Sequence, residues 1–205
     1  MQPADDPGSA RPRALVVHAH PSPTSFNHHL AHVTVDALSS TYETELIDLY
    51  RIGFRPEMTP EEHRRYHTEE PIVDPMVATH VESLLSAHTL AFVFPTWWSG
   101  LPAMLKGWLE KTMVPGVAFE FDERDRVRPA LHNIQNVIGV TTYGSPRWKM
   151  TLVGDGGRRT LHRALRLNIP HRIDRIWLGM HSLDASTAGQ RAAFVARVDQ
   201  RLRSL

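Results

Sequence analysis

The apolar positions of this chain fall into short unbroken runs separated by segments of helical period. Ala14-Leu-Val-Val-His-Ala19 is β-branched and apolar on both alternations, the pattern of a strand buried on both faces. A proline-bearing loop, His20 to Asn27, follows it. From Asn27 to Leu38 the apolar residues Leu30, Val33, Ala37 and Leu38 share one helical face, and Thr44 to Leu49 reads as a second strand. Tyr50 to Pro75 is different, being polar, rich in proline and without a sustained period. It holds one short helical piece, Thr59 to Tyr66, opened by a Thr N-cap with Pro60 behind it. A loop of this length inside a compact domain is functional or disordered.

Beyond it the pattern predicts a helix over Pro75 to Ala87, a strand over Thr89 to Pro95 and a helix over Leu101 to Met113. After Val117 to Phe121 comes a charged, turn-like stretch from Asp122 to Pro129. Gln135 to Thr142 reads as a strand, Gly156 to about Asn168 as a helix, Ile173 to Leu183 as a last strand and Thr187 to Leu205 as a terminal helix. Strands alternating with helices in one unit predict an α/β fold, a doubly wound five-stranded parallel sheet with helices on both faces. Residues 1–13, Pro/Asp/Gly/Ser-rich and without an apolar h-region, are expected to be a disordered leader rather than a secretory signal, with one domain over 14–205.

Composition narrows the chemistry. With 205 residues, 41% hydrophobic and 22% charged, the chain suits one ordinary globular domain. Its net charge of +1 supplies no bulk field for nucleic acid or an acidic membrane. No apolar run approaches the roughly 20 residues of a spanning helix, so the expectation is a cytoplasmic protein with no membrane insertion. The absence of cysteine excludes disulfides, thiol nucleophiles and thiolate-ligated metal sites. A redox function in such a chain would need a bound organic cofactor to hold electrons.

In a doubly wound sheet, ligands sit outside the carboxyl ends of the strands. Three segments follow strand ends here. The first, His20 to Asn27, has neither dinucleotide nor nucleoside-triphosphate glycine fingerprint. It offers Ser22, Thr24, Ser25 and Asn27 beside a helix start, a set that can hold a phosphate or simply cap the helix. The second, Pro95-Thr-Trp-Trp-Ser-Gly100, sets Trp97 and Trp98 side by side. They cannot both enter the core, so one is expected to be exposed where a flat ring could stack, while the other could fill the helix–sheet joint. The third, Thr141-Thr-Tyr-Gly-Ser-Pro-Arg-Trp148, supplies small residues with backbone N–H groups free for a ligand edge.

The stretch from Val17-His-Ala-His20 through Thr24-Ser-Phe-Asn27 carries a resemblance, as do Phe94-Pro-Thr-Trp-Trp-Ser-Gly-Leu-Pro-Ala-Met-Leu-Lys-Gly-Trp-Leu-Glu-Lys111 and Val140-Thr-Thr-Tyr-Gly144. Together they resemble the flavodoxin-like NAD(P)H:quinone oxidoreductases of the DT-diaphorase type, over about Ala14 to Leu183. The resemblance implies a flavodoxin-like fold and a flavin at the strand ends. His20, Thr24, Ser25, Phe26 and Asn27 would hold the phosphate portion. Pro95, Thr96, Trp97 and Trp98 would border the isoalloxazine, and Thr141, Thr142, Tyr143 and Gly144 would approach its pyrimidine edge. It further implies a homodimer with its active site at the interface. There NAD(P)H reduces the flavin and a quinone or related acceptor takes both electrons in a ping-pong cycle. Ser25-Phe-Asn27 favours FAD, and the short chain leaves FMN as the alternative. The family's Tyr and His after the third loop have no counterpart in Trp148 to Asp155, so no catalytic residue is carried over; Lys149 could serve as a cation there.

Other features have plainer readings. His28 with His32 and His63 with His67 share helix faces, but neither pair has an interposed Glu or a third ligand by spacing, so no metal site is expected. Gly154-Asp-Gly-Gly157 could cradle an NADPH phosphate or form a turn. The resemblance also leaves two alternatives, an electron-carrier flavoprotein and, as in some relatives of that family, an accessory subunit of a potassium-efflux system.

Overall fold

The computed structural model describes residues 11–205. The expected leader falls largely on residues 1–10, outside the described residues, while Arg13 already opens the first strand. Five parallel strands form one sheet: β1 (Arg13–His18), β2 (Glu43–Asp48), β3 (Thr89–Pro95), β6 (Asn136–Thr142) and β7 (Asp174–Met180), in the order β2-β1-β3-β6-β7. The strand order therefore reverses between β1 and β3. Helices α1 (Phe26–Leu38), α3 (Pro75–Ser86), α4 (Ala103–Thr112) and α7 (Ala188–Arg203) cover the two faces, and α2 (Pro60–Arg65) lies in the long 50–75 segment. The five-stranded parallel sheet expected from the sequence is the one observed.

Residue alternation explains why the apolar runs read as strands. On β1, Leu15 and Val17 enter the core shared with α3 and α4, whereas Ala14 and Val16 enter the core shared with α1 and α7. On β3, Leu90, Phe92 and Phe94 face the first core and Ala91 and Val93 the second. Every residue of β3 is buried. An interior parallel strand has no solvent face, so no polar alternation survives in its sequence. The wholly buried Trp108 of α4 fills the helix–sheet joint, its indole N–H donating to His80 Nδ1 at 3.3 Å.

Local chemistry sets the helix starts. Ser25 Oγ accepts from His28 N at 3.1 Å to open α1. Thr59 and Glu62 form a reciprocal capping box on α2, with Pro60 at its first position. Asp74 Oδ1 accepts from Met76 N at 2.9 Å to open α3.

Three departures from the sequence reading have physical causes. The charged Asp122–Pro129 stretch includes a strand of a small antiparallel hairpin, β4 (Phe119–Phe121) with β5 (Val127–Pro129). Asp122 organises its turn by accepting from Arg124 N and Arg126 N, and side-chain and backbone hydrogen bonds from Arg126 hold its carboxyl down at about 2. Helix α5 (Arg147–Val153) has no apolar period to betray it, since Trp148, Leu152 and Val153 are exposed and only Met150 is buried. The helix read from Gly156 to Asn168 begins as α6 (Gly156–Arg159), widens to a π turn over Thr160–Ala164 and tightens to 3₁₀ over Leu165–Asn168. Leu161, Leu165 and Ile169 are all buried. The π turn lies between Leu161 and Leu165, where its wider pitch suits a spacing of four better than the α-helical 3.6.

Candidate functional site

The three loops expected at the strand ends come together at the place where strand order reverses. Asn27 Nδ2 donates to Thr142 Oγ1 at 2.8 Å, tying the start of α1 across to β6. Thr96 N donates to Thr142 O at 2.8 Å, and the Thr96 and Thr141 hydroxyls lie 3.0 Å apart. The His20 and Trp97 rings approach to 6.0 Å, joining the first loop to the second.

Within the first loop, His20 Nδ1 lies 3.0 Å from Ser22 N and 3.3 Å from Ser22 O, so Ser22 holds the ring in place. Burial lowers the His20 pKa from its ordinary value, which favours the neutral ring. The Thr24 and Ser22 hydroxyls pair at 3.1 Å. Ser25 is the N-cap, and Phe26 packs against Phe194 of α7 at 6.4 Å. Among the described residues the backbone N–H groups of Phe26 and Asn27 have no acceptor, as expected for the first turn of a helix. Asn27 itself is buried and its Oδ1 has no partner.

The second loop is a tight turn. Trp97 and Gly100 pair through Trp97 N to Gly100 O (3.3 Å) and Gly100 N to Trp97 O (3.0 Å). Trp98 and Ser99 between them take φ of +49° and +57°, as both central residues of a type I′ turn do. Positive φ is costly for a bulky residue, and here it turns an indole away from its own chain. Neither tryptophan fills the helix–sheet joint: Trp97 is 42% exposed and Trp98 wholly exposed, while Pro95 and Thr96 sit below them at the end of β3.

Of Thr141, Thr142, Tyr143 and Gly144 in the third loop, only Gly144 is exposed. Thr141 and Thr142 are buried within β6. Tyr143 is buried as well, its N–H donating to Met180 O, its hydroxyl donating to Asp155 Oδ2 at 2.7 Å and accepting from Trp177 Nε1 at 2.9 Å. Burial and the Asp155 carboxylate push the phenol well above its ordinary pKa, so it stays protonated. A Cβ on Gly144 would stand 2.9 Å from Asp184 Oδ2, so glycine keeps this rim low.

Sequence reasoning missed what supports these loops. Asp155, gripped by Tyr143, caps α6, and Gly156 N donates to Ser99 O at 2.8 Å beneath the tryptophan turn. A Cβ on Gly156 would meet that same oxygen at 2.9 Å. Gly154-Asp-Gly-Gly157 is therefore a buttress rather than an open phosphate cradle: the N–H groups of Gly154 and Asp155 bond Met150 O, and that of Arg158 bonds Asp155 Oδ1. Lys149 lies over the exposed Trp148 ring at 5.5 Å. Two sizeable cavities among the described residues lie elsewhere. One, of 660 Å³, is lined by Met58, Tyr66, Leu109, Met113 and Leu165; another, of 990 Å³, runs along β7 beneath Arg147, Arg158, Arg163, Arg175 and Arg197. The three loops form an open shelf instead.

The sequence model of a family described as "Flavodoxin-like fold" matches residues 12–198. The chain belongs to the flavodoxin-like fold family. Within it, the chain is 32% identical to NAD(P)H dehydrogenase [quinone] 1 of Rattus norvegicus over 149 residues, 65% of this chain and 54% of that protein. It is 35% identical to an uncharacterized NAD(P)H oxidoreductase, YcaK, of Escherichia coli over 108 residues, 52% of this chain and 55% of that protein. The chain thus spans about half the length of the curated relatives it matches. Its flavodoxin-like fold also superposes on an NAD(P)H:quinone oxidoreductase from Methanothermobacter marburgensis with a TM-score of 0.78 at 24% identity, covering 95% of this chain and 98% of that one. The resemblance read from the three sequence stretches is matched by these relatives. No helix among the described residues is long and apolar enough to cross a membrane.

Proposed function

We propose that the chain binds a flavin across the carboxyl ends of β1, β3 and β6 and acts as an NAD(P)H oxidoreductase reducing quinones or related acceptors by two electrons. The observation that carries this reading is the shelf itself: three loops meet where strand order reverses, with unpaired backbone donors at one end and a wholly exposed indole beside them. Support for the activity comes from the names of the relatives, and the fit comes from the residues present.

The first-turn N–H groups of Phe26 and Asn27, with the Ser25 and Thr24 hydroxyls and the His20 imidazole, form a polar set suited to a phosphate. Trp97 and Trp98, above Pro95 and Thr96, offer a wall for a flat ring. Thr141, Thr142 and Tyr143 hold the bed from within the fold, and the N–H of Gly144, without an acceptor among the described residues, faces the rim. A donor fixed there favours negative charge at a pyrimidine edge without reorganising when the charge appears. Bound flavin supplies the two-electron carrier that a cysteine-free chain lacks. Ser25-Phe26-Asn27 favours FAD, with FMN the alternative, and NADH or NADPH is the donor. A cytoplasmic homodimer with the site at its interface completes the proposal, supported by the apolar side chains a single chain leaves bare: Trp98, Trp148, Leu152 and Val153.

Replacing Trp98 with alanine tests the stacking wall. Stacking of aromatic rings contributes about 0.5–1.5 kcal/mol, so flavin affinity by fluorescence titration is expected to fall roughly two- to tenfold. The melting temperature should not fall, because the ring buries nothing within the chain. Unchanged flavin affinity would remove Trp98 from the site.

A further inference from the structure

On the opposite side of the first turn of α1 from Asn27, three side chains from three elements converge. His18 ends β1, Asp48 ends β2 and His28 stands one residue past Asn27 on α1. One ligand-type atom from each lies within 4.8 Å of the others. His18 is wholly buried, and its Nδ1 lies 3.1 Å from Val93 O. A carbonyl only accepts, so the ring proton is on Nδ1 and Nε2 carries a lone pair. That Nε2 has no hydrogen-bond partner. Desolvation lowers the pKa of His18, in keeping with a neutral ring.

His28 repeats the arrangement. Its Nε2 is 3.1 Å from His32 Nε2, while its Nδ1 is buried, without a hydrogen bond, and 3.7 Å from Asp48 Oδ2. The other Asp48 oxygen accepts from Arg51 N at 3.3 Å, which fixes the carboxylate. The His18 Nε2 lone pair, His28 Nδ1 and a carboxylate oxygen therefore face one small space, each side chain held from behind by a hydrogen bond on its other atom. That is how metal-ligating histidines are oriented: the remote ring nitrogen is tied to a carbonyl or another polar group, leaving the near one to bind.

We infer that His18 Nε2, His28 Nδ1 and Asp48 Oδ2 form a binding site for a divalent transition metal of the zinc type. Two imidazoles and one carboxylate are a ligand set suited to zinc, with a fourth position left for water. Tetrahedral bonds of about 2.0–2.2 Å place donors roughly 3.3 Å apart. The cluster must tighten from its present spread, and His28 is the least buried of the three. The helix-face pairing of His28 with His32 seen in sequence thus belongs to a larger set. Its other members were hidden because they arrive from two strands. The inference is independent of the flavin reading, since Asn27 faces β6 and His28 faces β1 and β2.

The test uses the purified full chain, stripped with a chelator and titrated with zinc chloride by calorimetry, with metal content measured after dialysis. One zinc per chain is expected. His28→Ala and Asp48→Asn should each weaken binding at least tenfold with circular dichroism unchanged, while His63→Ala should leave it unaltered. Cobalt(II) in place of zinc should give visible d–d absorption that His28→Ala removes. Absence of zinc uptake overturns the site, and so does uptake that His28→Ala and Asp48→Asn leave unchanged.

Discussion

Replacing Lys111 with methionine is expected to destabilise the protein by about 3–5 kcal/mol. Lys111 is buried, with Nζ 2.8 Å from Glu62 Oε1, 3.9 Å from Asp74 Oδ2 and donating to Arg55 O at 3.2 Å. These partners lie at three places along the proline-rich 50–75 segment, so one ammonium ties three points of that stretch to α4. Methionine keeps the volume and strands the buried Glu62 carboxylate. Burial would raise the pKa of Glu62, but hydrogen bonds from Lys111 and Thr59 outweigh it and hold the group below its ordinary value. A depressed carboxylate contributes stability that is present above the unfolded pKa and lost as pH falls through the folded one. Urea denaturation should therefore show the wild type losing this contribution in acid and the variant lacking it at neutral pH. The double variant Lys111→Met with Glu62→Gln should recover much of the loss. A single-variant effect below about 1 kcal/mol would show that the pair does not hold the segment.

Gly139→Ala should cost about 2–4 kcal/mol and weaken the flavin shelf as well. Gly139 lies directly opposite Trp177 in the β6–β7 ladder, and the indole lies across it. An added Cβ would stand 2.3 Å from two of its ring carbons. The ring cannot slide freely, because its N–H is bonded to Tyr143 and the Phe94 and His162 rings pack against it in T-shaped contacts. Moving it breaks the Trp177–Tyr143–Asp155 chain, which seats Gly156 under Ser99 and so supports the Trp97–Gly100 turn. Tyr143→Phe, which removes the hydroxyl without adding volume, should reproduce the loss of flavin affinity with a smaller loss of stability. The comparison is read from denaturation midpoints and flavin titrations; a Gly139→Ala protein of wild-type stability would refute the clash.

What the sequence revealed follows the physics of each element. β1, β3 and β6 were legible because strands buried on both faces read as unbroken apolar runs, and the caps at Ser25 and Thr59 because capping chemistry is local. α5 was not, since its apolar residues point outward at Trp148, Leu152 and Val153. The three loops could be ordered along the chain, yet the bond from Asn27 to Thr142 and the grip of Tyr143 on Asp155 depend on tertiary approach that no spacing encodes. One signal was available and unused. His18 interrupts a run otherwise fit for burial, and a buried imidazole needs partners, which pointed to polar groups at the neighbouring strand ends.

The shelf is proposed to hold a flavin reducible by NAD(P)H. An absorbance spectrum of the purified chain, before and after anaerobic addition of NADH or NADPH, tests it most directly. A flavin spectrum, as isolated or after incubation with FAD or FMN, that bleaches rapidly with one of the two donors is the predicted result. A chain that stays colourless with both flavins would contradict the site; bound flavin that neither donor bleaches would contradict the activity.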